Sequence, residues 1–354
     1  MPDASRHRSP TMTDVAARAG VSHQTVSRVI NKVSGVRPET ASRVLAAIAD
    51  LGYRPNQLAR LLASSRSRMI GVATWGTGLY GPQQVLLALD AAARSAGYRI
   101  TVSTLHELTE ADTRQAVEEL MQLGVEAVVL IIPHETVLRF ATEVELGVPT
   151  LVLEGDLSRT PLTAGVDNVE GGQLATRHLL GLGHPTVVHV AGPPGWAESR
   201  ARIDGWRMEL EAWGRPVPPL RWGGDWSARS GYEAGVSLAR DPDATAIFAA
   251  NDQMAMGVIA ALRDAGCRVP RDVSVVGFDD LPEAPYVAPP LTTVSQDFAE
   301  LGTRAMGLLE RVLSGEDQPS AELVPTSLVV RGSTAPPRPE DGLVAQDAGS
   351  SPRP

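Results

Sequence analysis

The chain has 354 residues, 43% hydrophobic and 21% charged, with one cysteine and a net charge of −9. That is enough for about two or three globular domains, and it excludes an internal disulfide or a zinc site built from several thiolates. No apolar run approaches the roughly 20 residues of a membrane helix, and residues 1–10 hold two arginines but no apolar core of a secretory signal, so a cytoplasmic protein is expected.

The charge is unevenly spread. Residues 1–68 hold eleven basic and four acidic residues, net +7, and the remainder hold 21 against 37, net −16. A basic head that meets phosphates and an acidic body that stays off them would produce this division. Within the head, Thr11 with Asp14 three residues on can cap a first helix, in which Val15, Ala16 and Ala19 make a small apolar face. Gly20 permits the positive φ of a tight inter-helix turn, Val21 plugs the angle, and Ser22 caps a second helix. From that cap Val26, Val29 and Ile30 fall on one face, which leaves His23, Gln24, Ser27 and Arg28 outward as a donor-rich set. A third helix is predicted from Pro38 to Leu51, with Val44, Leu45 and Ile48 as its buried stripe and Gly52 at its end.

This is the pattern of a helix-turn-helix, whose recognition helix presents such side chains to base edges. A solvated amphipathic helix pair would share the periodicity. The runs Asp14-Val15-Ala16, Ala19-Gly20-Val21-Ser22 and Thr25 to Asn31 go further: they resemble the head of the lactose and galactose repressor (LacI/GalR) family of bacterial regulators. The resemblance implies a DNA-binding domain over 11–55 in which Thr11, Ser22, His23, Gln24, Thr25, Ser27, Arg28 and Asn31 contact DNA. Pro55 ends any earlier helix and Asn56 can start another over 57–63, too short to hold in water alone. In the family such a hinge helix forms when two protomers bring it to the minor groove, which implies DNA contacts for Asn56, Gln57, Ala59 and Leu62, with Leu62 as the wedge. Residues 64–68 read as a solvated linker.

From Met69 short apolar strands alternate with helices. Strands are predicted at 69–74, 98–103, 127–132, 150–153, 162–166, 186–191, 245–249 and 273–277, and helices at about 83–96, 110–123, 135–146, 169–182, 198–213, 228–240 and 252–265. The alternation predicts an α/β body of two doubly wound, mainly parallel sheets with a cleft between the lobes, an arrangement like that of type I periplasmic binding proteins. The body is expected to span 69–334, between a disordered tail over 1–10 and another over 335–354.

Gly76-Thr77-Gly78-Leu79-Tyr80-Gly81 satisfies G-x-G-x-x-G, the dinucleotide fingerprint, and leaves an NAD(P)-binding redox regulator or oxidoreductase as the alternative. Pro82 at the turn and the lack of an acidic residue after the next strand weigh against it. The family resemblance instead places Trp75, Leu79 and Pro82, with Gly81, on the wall of an effector pocket. It is dense in the second half: Ala191-Gly192-Pro193, Arg200, Arg202, Gly205-Trp206, Gly224 to Ser227, Ala250 to Ala255, Ser274 to Asp280, Pro289 to Thr293 and Gln296-Asp297-Phe298. These blocks belong to carbohydrate-responsive members and imply effector contacts at Glu154, Arg202, Trp226, Asn251, Asp279, Gln296 and Phe298. The chemistry suits a sugar: Arg202 is a fork of donors, Asn251 both donates and accepts, Asp279 accepts, and Trp226 can cover a pyranose face. Alone, Asp or Asn after a strand is more often a turn former. Glu154 and Ile131 depart from the lactose-type pattern, which has aspartate and asparagine there.

No G-x-S-x-G, H-E-x-x-H or P-loop occurs, and the seven histidines are not at ligand spacing, so neither catalysis, nor a metal, nor a cofactor is expected. His178, His184 and His189 are placed on a helix, a loop and a strand. The expected protein is a homodimeric repressor of operator DNA controlled by a small carbohydrate, a galactoside or related glycoside, with no membrane partner. Residues 335–354 lack the leucine heptads of a tetramerising helix, so assembly is expected to stop at the dimer.

Overall fold

The computed structural model describes residues 10–30, 35–53, 66–75, 78–132, 134–144, 146–154, 162–220, 222–316 and 320–338. Contacts divide the chain into two units, Met1–Ser67 and Arg68–Pro354.

The first unit holds α1 (Met12–Ala19), α2 (His23–Ile30) and α3 (Pro38–Leu51). The local signals act as the sequence implies. Thr11 and Asp14 form a reciprocal capping box, with the Thr11 amide donating to Asp14 Oδ2 at 2.8 Å and the Asp14 amide to Thr11 Oγ1 at 3.3 Å. Gly20 adopts φ 65° and ψ 40°, and the Thr25 amide donates to Ser22 Oγ at 3.2 Å to cap α2. Val15, Ala16, Ala19, Val26, Val44, Ala47 and Tyr53 form the core, with Val21, Val29, Ile30, Ile48 and Leu51 packed around it. Leu45 is not part of it: 57% of its surface is exposed. Val44, Ala47, Ile48 and Leu51 follow the i, i+3, i+4, i+7 spacing of one helix face, and Leu45 lies one residue, about 100°, off that stripe.

The second unit has two sheets. In the first lobe the order is β10-β5-β4-β3-β1-β2, all parallel, from β1 (Met69–Thr74), β2 (Arg99–Thr104), β3 (Ala127–Ile131), β4 (Thr150–Leu153), β5 (Thr163–Val166) and β10 (Glu322–Val324). One face is covered by α4 (Tyr80–Ser95) and α11 (Phe298–Leu313), through Val85, Leu89, Leu301, Ala305 and Leu309. The other is covered by α5 (Glu110–Gln122) and α6 (Glu135–Glu143), through Val117, Leu120, Val137 and Phe140. With both faces buried, β1 and β3 read as continuous apolar runs rather than alternating ones.

The second lobe is ordered β11-β9-β8-β7-β6, from β6 (Val188–Val190), β7 (Ala246–Ala249), β8 (Ser274–Phe278), β9 (Thr292–Gln296) and β11 (Thr326–Val329), with only β11 antiparallel to its neighbour. Its faces carry α7 (Asn168–Gly181) with α8 (Ala197–Ala212), and α9 (Ala228–Leu238) with α10 (Asp252–Asp264). Helices α7 and α8 touch backbone to backbone at Gly205, where a Cβ would overlap the Val169 carbonyl.

The lobes are not consecutive stretches of chain. The polypeptide passes between them three times, from β5 to α7, from β9 to α11 and from β10 to β11. Asp167 and Asp297, at two of these passages, cap the helices that follow by accepting from the amides of Glu170 and Glu300. The predicted strands and helices of the body are present with ends shifted by up to about three residues, but α11, β9, β10 and β11 were not among them. β10 and β11 are three and four residues long, too short for a period, and β9 is Thr-Thr-Val-Ser-Gln, buried at its start despite polar side chains.

Two boundaries differ from expectation. Arg68, placed in the linker, belongs to the body: its amide donates to Glu126 Oε1 at 2.7 Å and its carbonyl accepts from the Arg99 amide. The tail expected to be disordered from residue 335 is held at its start, where the Ala335 amide donates to Ser274 Oγ at 3.0 Å and Arg338 pairs with Asp272 at 3.1 Å.

Candidate functional site

In the first unit, His23, Gln24 and Arg28 are exposed on α2, opposite buried Val26, while Ser27 is half-buried. Ser22 Oγ and Thr25 Oγ1 lie 2.9 Å apart, so part of the hydrogen-bonding capacity of both is spent on the cap. The face left over is the donor-rich one. Asn31, Asn56, Gln57, Ala59 and Leu62 lie outside the described residues, as does Gly76 of the glycine motif.

In the body, a cleft is lined by Leu79, Tyr80, Gly81 and Pro82 from the first lobe and by Trp196, Glu198, Arg202, Trp226, Asn251, Gln253 and Asp279 from the second. Most of the polar residues sit at the carboxyl ends of strands or the first turns of the helices that follow. Asn251 and Asp279 directly follow the segments that leave β7 and β8, the position where open α/β sheets bind ligands.

Arg202 organises this wall. Its Nε donates to Asn168 Oδ1 at 2.8 Å, its Nη1 to the Ala250 carbonyl at 2.5 Å, and its Nη2 lies 3.7 Å from Asp279 Oδ1. The guanidinium lies over Phe278, 3.7 Å from the ring centroid, and 5.6 Å from that of Trp226. Contact of α7 with α8 at Gly205 is what lets α8 bring Arg202 to Asn168 at the start of α7. Asp279 also accepts from Gln296 Nε2 at 2.7 Å, and burial lifts its carboxyl to about 6 against the pull of Arg202 and Gln296.

Asn251 Oδ1 accepts from the Met254 amide at 2.9 Å, capping α10, and its Nδ2 donates to the Trp226 carbonyl at 3.0 Å. One lone pair and one N–H therefore remain for a ligand. Trp226 has φ 71°, and its indole packs on Gly192 so closely that a Cβ there would overlap the ring. Asp252 holds the loop that carries Asp279, accepting from the Leu281 amide at 2.8 Å and Thr293 Oγ1 at 2.6 Å.

Seven predicted effector residues line the cleft: Leu79, Gly81, Pro82, Arg202, Trp226, Asn251 and Asp279. Four stand behind it. Trp75 packs against Trp196 with ring centroids 5.5 Å apart, Phe298 meets Tyr80 edge-on at 6.1 Å, and Gln296 orients Asp279. Glu154, at φ 59° after β4, accepts from the Val166 amide at 3.1 Å and Asn168 Nδ2 at 3.0 Å, and burial raises its pKa to about 7. Ile131 is buried in the first lobe's core. Hydrogen bonds thus run from Glu154 through Asn168 to Arg202, and on through its ion pair with Asp279 to Gln296, beside the β5–α7 and β9–α11 passages.

Tyr80, Trp196, Glu198 and Gln253 were missed. Two had a signal: Glu198 precedes Arg202 by four residues, hence shares its helix face, and Gln253 is in the first turn after Asn251. Glu198 as a residue is half-buried, yet its Oε2 is sealed from solvent and, like Gln253 Oε1, has no hydrogen-bond partner among the described residues. Burial, then the neighbouring Glu154 charge, push the Glu198 carboxyl up to about 8. His178, His184 and His189 lie on α7, a loop and β6, bonded to Thr334, to Thr245 with Ser274 and Ala335, and to Phe248. Among the described residues no cluster of three or more His, Cys, Asp or Glu could hold a metal ion, and no helix is long and apolar enough to cross a membrane.

Known proteins share this architecture. Residues 11–56 match the bacterial regulatory proteins of the lacI family, and residues 176–334 match a periplasmic binding protein-like domain. The lactose operon repressor of Escherichia coli (strain K12) is 36% identical over 330 residues, covering 92% of this chain and 91% of that protein. A crystal structure of the Lac repressor dimer bound to operator and the anti-inducer ONPF superposes with a TM-score of 0.84 at 35% identity, over 93% of this chain and 100% of that one. The transcriptional regulator CelR in complex with cellobiose gives 0.69 at 31% identity, over 92% and 99%. On this similarity along nearly its whole length, the chain belongs to the lacI family of bacterial regulatory proteins.

Proposed function

We propose that this protein is a cytoplasmic, non-catalytic transcriptional repressor that binds operator DNA as a homodimer and is controlled by a small carbohydrate, a galactoside or related glycoside, held in the cleft of the body. The convergence of Arg202, Asn251, Asp279 and Trp226 on one cleft carries the reading, because it joins bidentate polar groups to an aromatic plate, as a ring bearing adjacent hydroxyls requires. The relatives support it: one is a lactose operon repressor and another a regulator solved with cellobiose. A pyrophosphate fits poorly, since Glu198 and Asp279 line the same cleft as Leu79 and Gly81.

His23, Gln24 and Arg28 read bases from the exposed face of α2, with Ser27 beside them, Thr11, Ser22, Thr25 and Asn31 support the phosphate and base contacts, and Asn56, Gln57, Ala59 and Leu62 act in the minor groove. The ligand bridges an apolar wall of one lobe and a polar wall of the other, so it favours the closed arrangement of lobes connected by three chain passages. Control of DNA requires that the DNA-binding and released states differ in affinity for that ligand. Operator selected from random DNA should bind in a salt-dependent manner, release on addition of one member of a panel of β-galactosides and cellobiose, and lose about 1–3 kcal/mol of affinity in Arg28→Ala. Unchanged DNA affinity in that variant would refute the assignment of α2, and a panel that neither binds nor releases DNA, while NADH does, would refute the sugar.

A further inference from the structure

The cleft has an imbalance that the family reading leaves unexplained. Its one guanidinium among the described lining residues, Arg202, is turned to Asn168, the Ala250 carbonyl and Asp279. Two carboxyls line the cleft, Glu198 and Asp279, and a third, Glu154, stands close behind through Asn168. Glu198 is outside ion-pair distance of Arg202, although four residues away on the same helix. Its Oε2 is sealed and unpartnered, and so is Gln253 Oε1 on the same wall. A carboxyl oxygen and an amide oxygen withdrawn from water without a partner are costly to keep. Such a pair is explained by a ligand that brings donors.

A hydroxyl brings one donor and no charge. An ammonium brings three donors and a positive charge that can hold Glu198 as a carboxylate. We propose that the ligand is an amino sugar whose protonated amino group is received by the Glu198 carboxyl and the Gln253 side chain, while its ring lies against Trp226 and its hydroxyls meet Arg202, Asn251 and Asp279. The proposal rests on the carbohydrate reading above and names the substituent that decides among carbohydrates. Among the charges facing Glu198, Glu154 and Asp279 raise its proton affinity and Arg202 lowers it. Trp196, at the start of the same helix and edge-on to Trp226 at 6.2 Å, closes the site beside the amine. A buried cation against an aromatic face and a carboxylate is well stabilised.

The experiment uses the full chain and tryptophan fluorescence, with calorimetry at pH 6.5, to compare glucosamine and galactosamine with N-acetylglucosamine, N-acetylgalactosamine, glucose and galactose. One amine should bind at least tenfold more tightly than its acetylated and neutral counterparts. Glu198→Gln, with folding verified by its thermal melt, should bring that ratio within threefold. The wild-type protein gives a second readout that needs no variant. Burial keeps Glu198 protonated at pH 6.5, so seating an ammonium there should release close to one proton, seen as a dependence of the binding heat on the buffer's ionisation enthalpy. Neutral sugars binding as tightly as the amines, or an amine preference that survives Glu198→Gln, would overturn the proposal and leave the carbohydrate reading standing. Failure of every saccharide to bind would overturn both.

Discussion

The two units carry their functional side chains in opposite ways. On α2 the proposed readers His23, Gln24 and Arg28 are exposed, and the seven-residue apolar core beneath them only has to hold the helix in place. In the body the proposed functional side chains are themselves part of the interior: Arg202, Asn251 and Asp279 are buried and bonded to one another's neighbours. A surface reader can change without disturbing its fold, whereas a buried one is a structural member until the ligand arrives. The same substitution chemistry should therefore separate function from stability in the head and merge them in the body.

Arg202→Leu is the severest test of this difference. It removes donors from Asn168 Oδ1 and the Ala250 carbonyl and leaves Asp279 without its cation, so urea unfolding should show a loss of about 3–5 kcal/mol together with loss of sugar binding. Arg28→Ala, by contrast, should leave unfolding within about 0.5 kcal/mol of wild type. Equal losses in the two variants would erase the distinction.

Glu198 sharpens it in the opposite direction. Its carboxyl is raised from 4.5 to about 8, first by burial and then by the charge of Glu154, so the folded state holds the proton more tightly than the unfolded one. Below the ordinary value the group costs nothing; the cost of the charged form grows as pH rises from about 4.5 to 8 and is complete above that. Glu198→Gln should therefore stabilise the ligand-free protein by on the order of 2 kcal/mol at pH 8.5 and by almost nothing at pH 5, read from thermal or urea midpoints. The same gain at both pH values would mean that packing, not charge, sets the penalty.

What could be read in the sequence follows the same division. Thr11, Gly20 and Ser22 act within three or four residues of themselves, so the head's helices and turn were legible from local chemistry. Arg202, Trp226, Asn251 and Asp279 were legible through resemblance and through their place after strands. Trp196 carried no such signal, and Glu198 and Gln253 carried only their spacing from Arg202 and Asn251, because their place at the cleft depends on which helix starts converge from separate parts of the second lobe. Helix α11 and strand β10 show the limit for the fold: they return to the first lobe after an entire second lobe has intervened, and alternation of strands and helices does not encode that return. Glu154, Gln296 and Phe298, expected at the ligand, are not among the residues that line the cleft and instead contact Asn168, Asp279 and Tyr80.

The smallest effect tests the head's one misassigned core position. Leu45 looks apolar and sits beside Val44 in sequence, but the side chain is 57% exposed while Val44 is fully buried. Helix geometry explains the contrast, since adjacent residues point about 100° apart and only the stripe of Val44, Ala47, Ile48 and Leu51 meets α1 and α2. Leu45→Lys should leave the head's unfolding free energy almost unchanged, within about 0.5 kcal/mol, because its aliphatic stem can cover much the same surface and its ammonium stays in water. Val44→Ala should cost about 2 kcal/mol from the lost methyl groups and the space they leave. If Leu45→Lys cost as much as Val44→Ala, the face taken here as solvent-exposed would be buried in the assembled protein, and α3 would have a second packing partner.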